Sequence, residues 1–318
     1  MKILITGFTG FVSAHFLEYL NTAEPDSIVL GIDKNMPDFN FSNFPALHIT
    51  FQELDLLNKS AVERILVEFQ PEYILHLASV SSVAQSWQTP LDSFVNNTNI
   101  FLNLVEQVRV NGIKCRILSI GSSEEYGEVK ENQLPLTEEH ALKPVSPYAV
   151  ARVSQEMLSK VYADSFNLNI IITRSFNHIG PGQKENFVIS SFAKQLVELS
   201  RSESPSKKIV TGDLSIMRDF LDVRDVVRAY YILLKNGRSG QVYNICSGEG
   251  TLLKDIILQM GELLNITVET QINPQLMRPN ENHKIIGANN KIQTEFGWQP
   301  EISLKKSLGD MIEYWVNK

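Results

Sequence analysis

Lys2-Ile3-Leu4-Ile5-Thr6-Gly7-Phe8-Thr9-Gly10-Phe11-Val12-Ser13 is the stretch whose reading decides the fold of this chain. The first five residues form a short, apolar, β-rich run. Glycines follow at 7 and 10, and apolar positions at Val12, Phe16 and Leu20 then recur with helical spacing. Strand, glycine turn and helix in that order form the context a dinucleotide-binding loop requires. Gly7 permits the sharp turn, and Gly10 lets the backbone approach a pyrophosphate at the helix N-terminus. Ser13 stands where a third glycine would allow close packing, and serine is small enough to be tolerated there. The second β-rich run, Ile28–Asp33, ends in an acid about twenty residues after the loop. A carboxylate there accepts from the adenosine ribose hydroxyls and repels a 2′-phosphate, so Asp33 favours NAD(H). Lys34 follows directly and partly offsets that repulsion, which keeps NADP(H) open.

Outward from this loop, β-rich runs recur at 2–6, 28–33, 47–51, 73–78, 115–121 and 169–175 with helical patterns between them. The clearest helical stripe is Val62, Ile65, Leu66 and Phe69. This alternation predicts an α/β fold with a doubly wound, Rossmann-type parallel sheet. After residue 175 the alternation fails, and polar turns at Gly180-Pro181-Gly182 and the serine-rich 200–208 separate shorter elements, among them a strand-like 242–246. Residues 1–175 with roughly 211–247 are expected to form the dinucleotide-binding domain. Residues 176–210 and 248–318 are expected to form a smaller substrate-binding lobe that closes over it.

With 318 residues, 43% of them hydrophobic, the chain has enough apolar material for a large core or two lobes. A net charge of −7 without a basic run speaks against nucleic acid or an anionic membrane as partners. No apolar run is long enough to span a bilayer. The first strand starts directly after Met1, so no leader is expected and the cytoplasm is the expected compartment. Cys115 and Cys246, both in apolar runs, read as buried free thiols of a reducing compartment. The six histidines show no ligand spacing, and no metal is implied.

The candidate chemistry lies in Ser146-Pro147-Tyr148-Ala149-Val150-Ala151-Arg152, where a phenol and a cation stand four residues apart. On a helix that spacing stacks both side chains on one face. A cation held beside a phenol lowers the cost of ionising it and suits the phenol to proton exchange with a substrate oxygen. Taken alone, the spacing is equally that of packed helix surface; beside a nucleotide-binding loop it becomes a catalytic proposal.

Several longer segments carry a resemblance. They are Ile120–Gly127 (IGSSEEYG), Ser146-Pro147-Tyr148, Arg174–Gln183 (RSFNHIGPGQ), Arg218–Asp225 (RDFLDVRD), Tyr243–Gly248 (YNICSG), Arg278-Pro279-Asn280-Glu281 and Gly297-Trp298-Gln299-Pro300. Over essentially its whole length the chain resembles the extended short-chain dehydrogenase/reductases that modify nucleotide-sugars. Within that family it is most similar to the reductases of GDP-4-keto-6-deoxy-D-mannose, which make GDP-D-rhamnose.

The resemblance implies a nucleotide-diphosphate sugar as substrate, GDP-linked, and a homodimer formed through helices flanking the Tyr148 segment. It implies Tyr148 as proton donor to the sugar C4 oxygen, and Ser122, with Ser123 as second choice, as hydrogen-bond donor to the same oxygen. Glu124 matches the position of the carboxylate used by related 4,6-dehydratases for water elimination. Thr9, Phe11, Val12, Asp55, Leu56, Leu77 and Ala78 are implied around the cofactor together with Gly7, Gly10, Asp33, Lys34, Tyr148 and Arg152. On the substrate side, Asn177, Arg218 and Arg278 are implied to hold the diphosphate, a task suited to forked guanidinium donors. Val188 joins that set, and Glu281 is implied at the nucleoside. His76 and His178 read as structural histidines and Trp87 as packing.

Two departures stand out. Arg152 occupies the position where the family usually has lysine, and the exchange is not conservative because a planar fork replaces a point charge. The helix after Asn97 reads Thr98-Asn99-Ile100-Phe101 where relatives often continue Val-x-Gly-Thr. The leading expectation is a ketoreductase that passes hydride from NAD(P)H to C4 of a GDP-4-keto-6-deoxyhexose. A 4,6-dehydratase or epimerase on the same scaffold is kept open by Glu124. A non-catalytic nucleotide-binding module is kept open by Arg152.

Overall fold

The β-rich runs become parallel strands: β1 (Lys2–Thr6), β2 (Ile28–Asp33), β3 (His48–Glu53), β4 (Tyr73–His76), β5 (Arg116–Ser122) and β6 (Asn169–Ser175). With the strand Val242–Ile245 they form one sheet, in the order Val242–Ile245, β6, β5, β4, β1, β2, β3. Each neighbouring pair is parallel. The computed structural model describes residues 1–203, 207–277 and 281–318. Strand order reverses between β1 and β4, which is where open α/β sheets place ligands, beyond the carboxyl ends of the strands. The interior strands β1, β4, β5 and β6 are buried over all but their first residue, as helices covering both faces require. The expected doubly wound architecture is the one observed.

Helix α1 (Phe11–Ala23) buries Phe16, Leu17 and Leu20. Helix α2 (Lys59–Phe69) starts at Asn58, whose side chain accepts from Ala61 N at 3.2 Å. It sends Val62, Ile65 and Leu66 into a core shared with Phe101, Leu104 and Val105. Burying each such side chain contributes about 1.5–3 kcal/mol. The helix Pro147–Phe166 is capped by Ser146, which accepts from Ala149 N at 3.1 Å, and carries proline at its first position. It ends at Asn167, with φ 56°. Its inner face is unusually polar: Tyr148, Arg152, Gln155, Glu156 and Ser159 are all buried. Such a face holds only if its donors and acceptors pair with one another.

The chain divides into two units, Met1–Glu128 with Glu138–Ser175 and Val227–Ile245, and Val129–Thr137 with Phe176–Val226 and Cys246–Lys318. Residues 129–137, 211–226 and 246–247, expected in the first unit, fall in the second. The reason for 211–226 is the strand Met217–Asp222, which pairs with Asn177–Ile179, Gly250–Leu252 and Lys284–Ile285. Helices Val188–Arg201, Leu253–Leu263 and Leu304–Asn317 pack Phe192, Leu196, Met260, Leu308 and Met311 into the core of this second unit. Among the described residues no helix is long and apolar enough to cross a membrane. Cys246 is buried and Cys115 half-buried, and both are free thiols. Burial pushes the Cys115 thiol up to about 12.

Ser13 is fully buried, as close packing of α1 requires, but its hydroxyl has no hydrogen-bond partner among the described residues. An unsatisfied buried hydroxyl costs about 1–3 kcal/mol. Ser13→Ala is therefore expected to stabilise the cofactor-free protein by about 1 kcal/mol in chemical denaturation. A loss of stability would show that the hydroxyl has a partner in solution.

Candidate active site

The turn after β1 is built by close approach. Gly7 has φ +69°, and a Cβ on it would lie 2.6 Å from the backbone nitrogen of Ala78. That places the turn directly on Leu77 and Ala78, whose amides are held by Thr6: Leu77 N donates to Thr6 O at 3.1 Å and Ala78 N to Thr6 Oγ1 at 3.3 Å. Gly10 is the N-cap of α1 and brings no capping side chain. Phe11 and Val12 follow in the first turn, with the Phe11 ring edge-on to His15 at 5.2 Å. A positive helix end without a side-chain cap beside a glycine turn fits a pyrophosphate, so the residues present suit a dinucleotide.

Asp33 does more than the sequence suggests. Its Oδ2 accepts from Thr9 N at 3.0 Å and Thr9 Oγ1 at 2.8 Å, and its Oδ1 accepts from Lys34 N at 2.7 Å. It thus ties the glycine loop to the end of β2 and keeps acceptor capacity on Oδ1 for a ribose hydroxyl. Lys34 Nζ lies 3.2 Å from Asp55 Oδ2 and donates to Asn96 Oδ1 at 3.1 Å. Asp55 also accepts from Leu57 N, and Leu56 between them is buried in the core.

Tyr148 and Arg152 share one buried face, at 5% and 4% exposure. Arg152 Nε donates to Tyr148 Oη at 3.1 Å, and its guanidinium carbon lies 5.2 Å from the phenol centroid. Arg152 Nη1 donates to the Ile120 carbonyl at 3.0 Å and to Gln155 Oε1 at 2.8 Å. The phenol is thereby tied through the guanidinium to β5, the strand that ends in Ser122. Thr98 Oγ1 donates to Ala151 O at 3.0 Å from a π-helical turn, Val95–Asn99. In that turn Asn97 is fully buried, accepting from Val80 N at 3.2 Å and donating to Ser93 O at 2.6 Å.

Ser122 caps the short helical turn Ser123–Tyr126. Its Oγ accepts from Glu124 N at 3.2 Å, which leaves its own hydroxyl proton to donate. Ser122 and Ser123 are buried and Glu124 is half-buried. The cap is completed by Glu125, whose Oε1 accepts from Ser122 N at 2.6 Å. Gly121 makes this possible, since a Cβ there would lie 2.4 Å from that same Oε1. Glu125, to which the sequence assigns no role, is fully buried, and its Oε2 has no hydrogen-bond partner among the described residues. Burial, reinforced by the neighbouring Glu156, pushes its carboxyl well above the usual carboxylate range. Burial works against ionisation of Glu156 too, but Arg174 Nε and Nη2 donate to it at 2.9 and 2.8 Å and Lys160 Nζ at 2.7 Å, holding it below the usual range.

Of the residues expected at the substrate, Asn177, Val188, Arg218 and Glu281 lie in the second unit. Asn177 and Arg218 stand on adjacent strands, with Asn177 Nδ2 donating to Asp219 O at 3.4 Å. Arg218 Nη1 donates to Met217 O at 2.9 Å and Nη2 is ion-paired with Glu281. Arg218 and Glu281, expected at a diphosphate and at a nucleoside, are ion-paired with each other, the arginine buried and the glutamate partly exposed. Val188 begins the helix Val188–Arg201 and is 39% exposed. Arg278 lies outside the described residues.

Three other assignments also meet the structure. Trp87 was assigned to packing but is 38% exposed, because its short helix Val83–Gln88 turns that side outward. His76 is buried, with Nδ1 2.9 Å from Thr6 Oγ1 and Nε2 unpaired among the described residues. Burial, followed by the charge of Arg152, pulls its ring down to about 3 and keeps it neutral. His178 Nδ1 lies 3.3 Å from Phe176 O. Among the described residues no group of three or more His, Cys, Asp or Glu side chains is arranged to hold a metal ion.

The profile of the GDP-mannose 4,6-dehydratase family matches residues 4–311. GDP-6-deoxy-D-mannose reductase of Pseudomonas aeruginosa is 31% identical over 317 residues, covering 100% of this chain and 98% of that protein. The solved structure of RMD from P. aeruginosa complexed with NADPH superimposes with a TM-score of 0.86 at 30% identity, over 99% of each chain. UDP-glucose 4-epimerase of Thermotoga maritima, solved with UDP-glucose, gives a TM-score of 0.87 at 28% identity, over 100% of this chain and 99% of that one.

The Glu125 carboxyl predicts a pH-dependent stability. Below its unfolded-state value of 4.5 both states are protonated and nothing is lost. Above it the unfolded chain ionises while the folded one does not, so stability falls as pH rises. Glu125→Gln keeps the acceptor for Ser122 N and supplies a permanent donor. Its gain in Tm over the parent is expected to be larger at pH 8 than at pH 5. An equal gain at both values would show that Glu125 is ionised in the fold.

Proposed function

Because this chain belongs to the GDP-mannose 4,6-dehydratase family of NAD(P)-dependent nucleotide-sugar enzymes, we propose that it is a nucleotide-sugar ketoreductase acting at C4 of a GDP-4-keto-6-deoxyhexose, with a product such as GDP-D-rhamnose. The observation that carries this reading is the Arg152 guanidinium, which donates at once to Tyr148 Oη and to the Ile120 carbonyl of β5. One proton donor is thus held against the strand whose last residue, Ser122, offers a second. The whole-length similarity to a GDP-6-deoxy-D-mannose reductase supports the choice of sugar.

In this reading the glycine turn, α1, Asp33 and the Leu77–Ala78 segment hold the dinucleotide, which when bound supplies the hydride that reaches C4. Tyr148 Oη gives its proton to the C4 oxygen, so the carbonyl becomes a hydroxyl. Ser122 Oγ donates to the same oxygen and steadies the charge that builds there before the proton arrives. Arg152 steadies the charge left on the phenol. Asn177, Arg218 and Glu281 of the second unit serve the nucleotide-diphosphate portion, and Arg218 exchanges part of its contact with Glu281 for phosphate oxygens. NADH is the preferred donor: Asp33 repels a 2′-phosphate, and Lys34 is engaged by Asp55 and Asn96. A dehydratase reading rests on Glu124, beside Ser123, and on the family itself. The free thiols Cys115 and Cys246 suit a reducing cytoplasm.

We extend the proposal to a homodimer packed through the outer face of the helix Pro147–Phe166. Val150, Met157 and Val161 lie on one stripe of it and are 45%, 42% and 50% exposed. Light scattering is expected to give twice the chain mass for the parent and the chain mass for Met157→Glu/Val161→Glu. A monomeric parent would remove the dimer.

The reaction is tested by mixing the protein with NADH and freshly generated GDP-4-keto-6-deoxy-mannose and following loss of reduced nicotinamide. Stoichiometric oxidation is expected, and Tyr148→Phe is expected to lower kcat by roughly a hundredfold or more with NADH binding retained. Keto-sugar formation from GDP-mannose with NAD, without net cofactor change, would replace the reductase by a dehydratase. Silence with both would leave a nucleotide-binding module.

A further inference from the structure

Arg152 does not stand in for a lysine by offering a terminal nitrogen to the phenol. Its Nε faces Tyr148 Oη, and its Nη1 is turned inward onto two acceptors, the Ile120 carbonyl and Gln155 Oε1. Gln155 is itself held at its other end. Its Nε2 donates to Ser119 Oγ at 2.9 Å and to Ile120 O at 3.2 Å. Ser159 Oγ, one turn further along the helix, lies 3.0 Å from Ser119 Oγ and donates to Gln155 O at 2.8 Å. Gln155 and Ser119 are 1% exposed and Ser159 is fully buried. None of the three residues Ser119, Gln155 and Ser159 has an assigned part in the proposed chemistry.

A freely rotating guanidinium can present Nε, Nη1 or Nη2 to a phenol, and only one of these leaves the fork edge-on to β5. The amide of Gln155 selects that rotamer. Its carbonyl must accept from Arg152, because its NH2 group is committed to Ser119 and the Ile120 carbonyl. We propose that Gln155 is a positioning residue for the Tyr148–Arg152 pair, orienting the arginine so that it serves in the place usually held by lysine. The inference rests on the reading of Tyr148 as proton donor. It also bears on Arg152→Lys: one ammonium nitrogen would have to replace contacts that Arg152 spreads over Nε and Nη1, and a buried Gln155 carbonyl that loses its donor is costly.

Two measurements test it. In the ketoreductase assay, Gln155→Met is expected to lower kcat by roughly tenfold with the KM for keto-sugar and the Kd for NADH nearly unchanged. In an Arg152→Lys background the same substitution is expected to change kcat less than about twofold, because the group it positions has gone. Equal losses in both backgrounds would make Gln155 merely structural and overturn the proposal. The second measurement needs no substrate. The Arg152 Nε–H resonance, assigned by its absence in Arg152→Lys, should be protected from solvent exchange and should move in Tyr148→Phe. In Gln155→Met the protection should fall at least about tenfold and the response to Tyr148→Phe should vanish. Retained protection and response would overturn the proposal. If the parent reduces no keto-sugar, the functional reading fails and this resonance alone decides the positioning. Ser119→Ala, which frees the amide end of Gln155, should give the same changes in smaller measure if Gln155→Met does not fold.

Discussion

Arg152 brings a full positive charge to a place where it is 4% exposed, and the three groups that meet it are a phenol, a backbone carbonyl and a side-chain amide. None of them is a carboxylate. A buried cation must be solvated by something, and here neutral dipoles perform that task without cancelling the charge. The field of the guanidinium therefore remains available at the phenol, where the proposed chemistry leaves negative charge. The capped helix Pro147–Phe166, the register of β5 with β4 and β6, and the Ser119–Gln155–Ser159 network all hold that one group in place.

A second buried guanidinium, on the neighbouring strand β6, shows the contrasting solution. Arg174, on β6, is met by the carboxylate of Glu156 through two parallel donors, and Lys160 adds a further charge from the helix. Glu156 in turn faces Glu125, whose carboxyl is pushed well above the usual carboxylate range by burial and by that neighbour, and Glu125 braces Ser122. In this cluster the charges are largely neutralised, and the result is a rigid support beneath the Ser122–Glu124 turn. Two arginines of one unit thus differ: among the described residues one is paired with a carboxylate and the other is met by neutral groups.

The second unit follows a similar economy around Asp219. Its buried carboxylate accepts from Ser247 N and Oγ, Gly248 N and Gly287 N at 2.8, 2.7, 3.0 and 3.2 Å, gathering loops from distant parts of the chain beside the strand that carries Arg218. Burial raises its carboxyl above the usual value despite these donors. The neighbouring Arg218–Glu281 pair is partly exposed through Glu281, whereas Asp219 is fully buried.

Elements with a strong local signal were legible in the residues: the Gly7–Gly10 turn, the acid Asp33, the stripe of α2, and the four-residue spacing of Tyr148 and Arg152. These depend on backbone geometry and helical periodicity, which short stretches of chain carry by themselves. The placement of 211–226 in the second unit was not legible, because strand pairing joins segments far apart in sequence. Nor were the outward Trp87 or the mutual pairing of Arg218 and Glu281, which turn on side-chain orientation and on bringing residues 63 positions apart together. Gln155 and Glu125 were invisible for a related reason: their meaning lies in Ser119, Ser122 and Glu156, partners on a neighbouring element. By itself the sequence determined the kind of fold, the end of the sheet where a dinucleotide belongs, and the phenol–cation pair on one helix face. Only the tertiary structure decided which nitrogen of Arg152 meets Tyr148 and which buried carboxyl keeps its proton, because both depend on the dipoles and charges that long-range packing brings together.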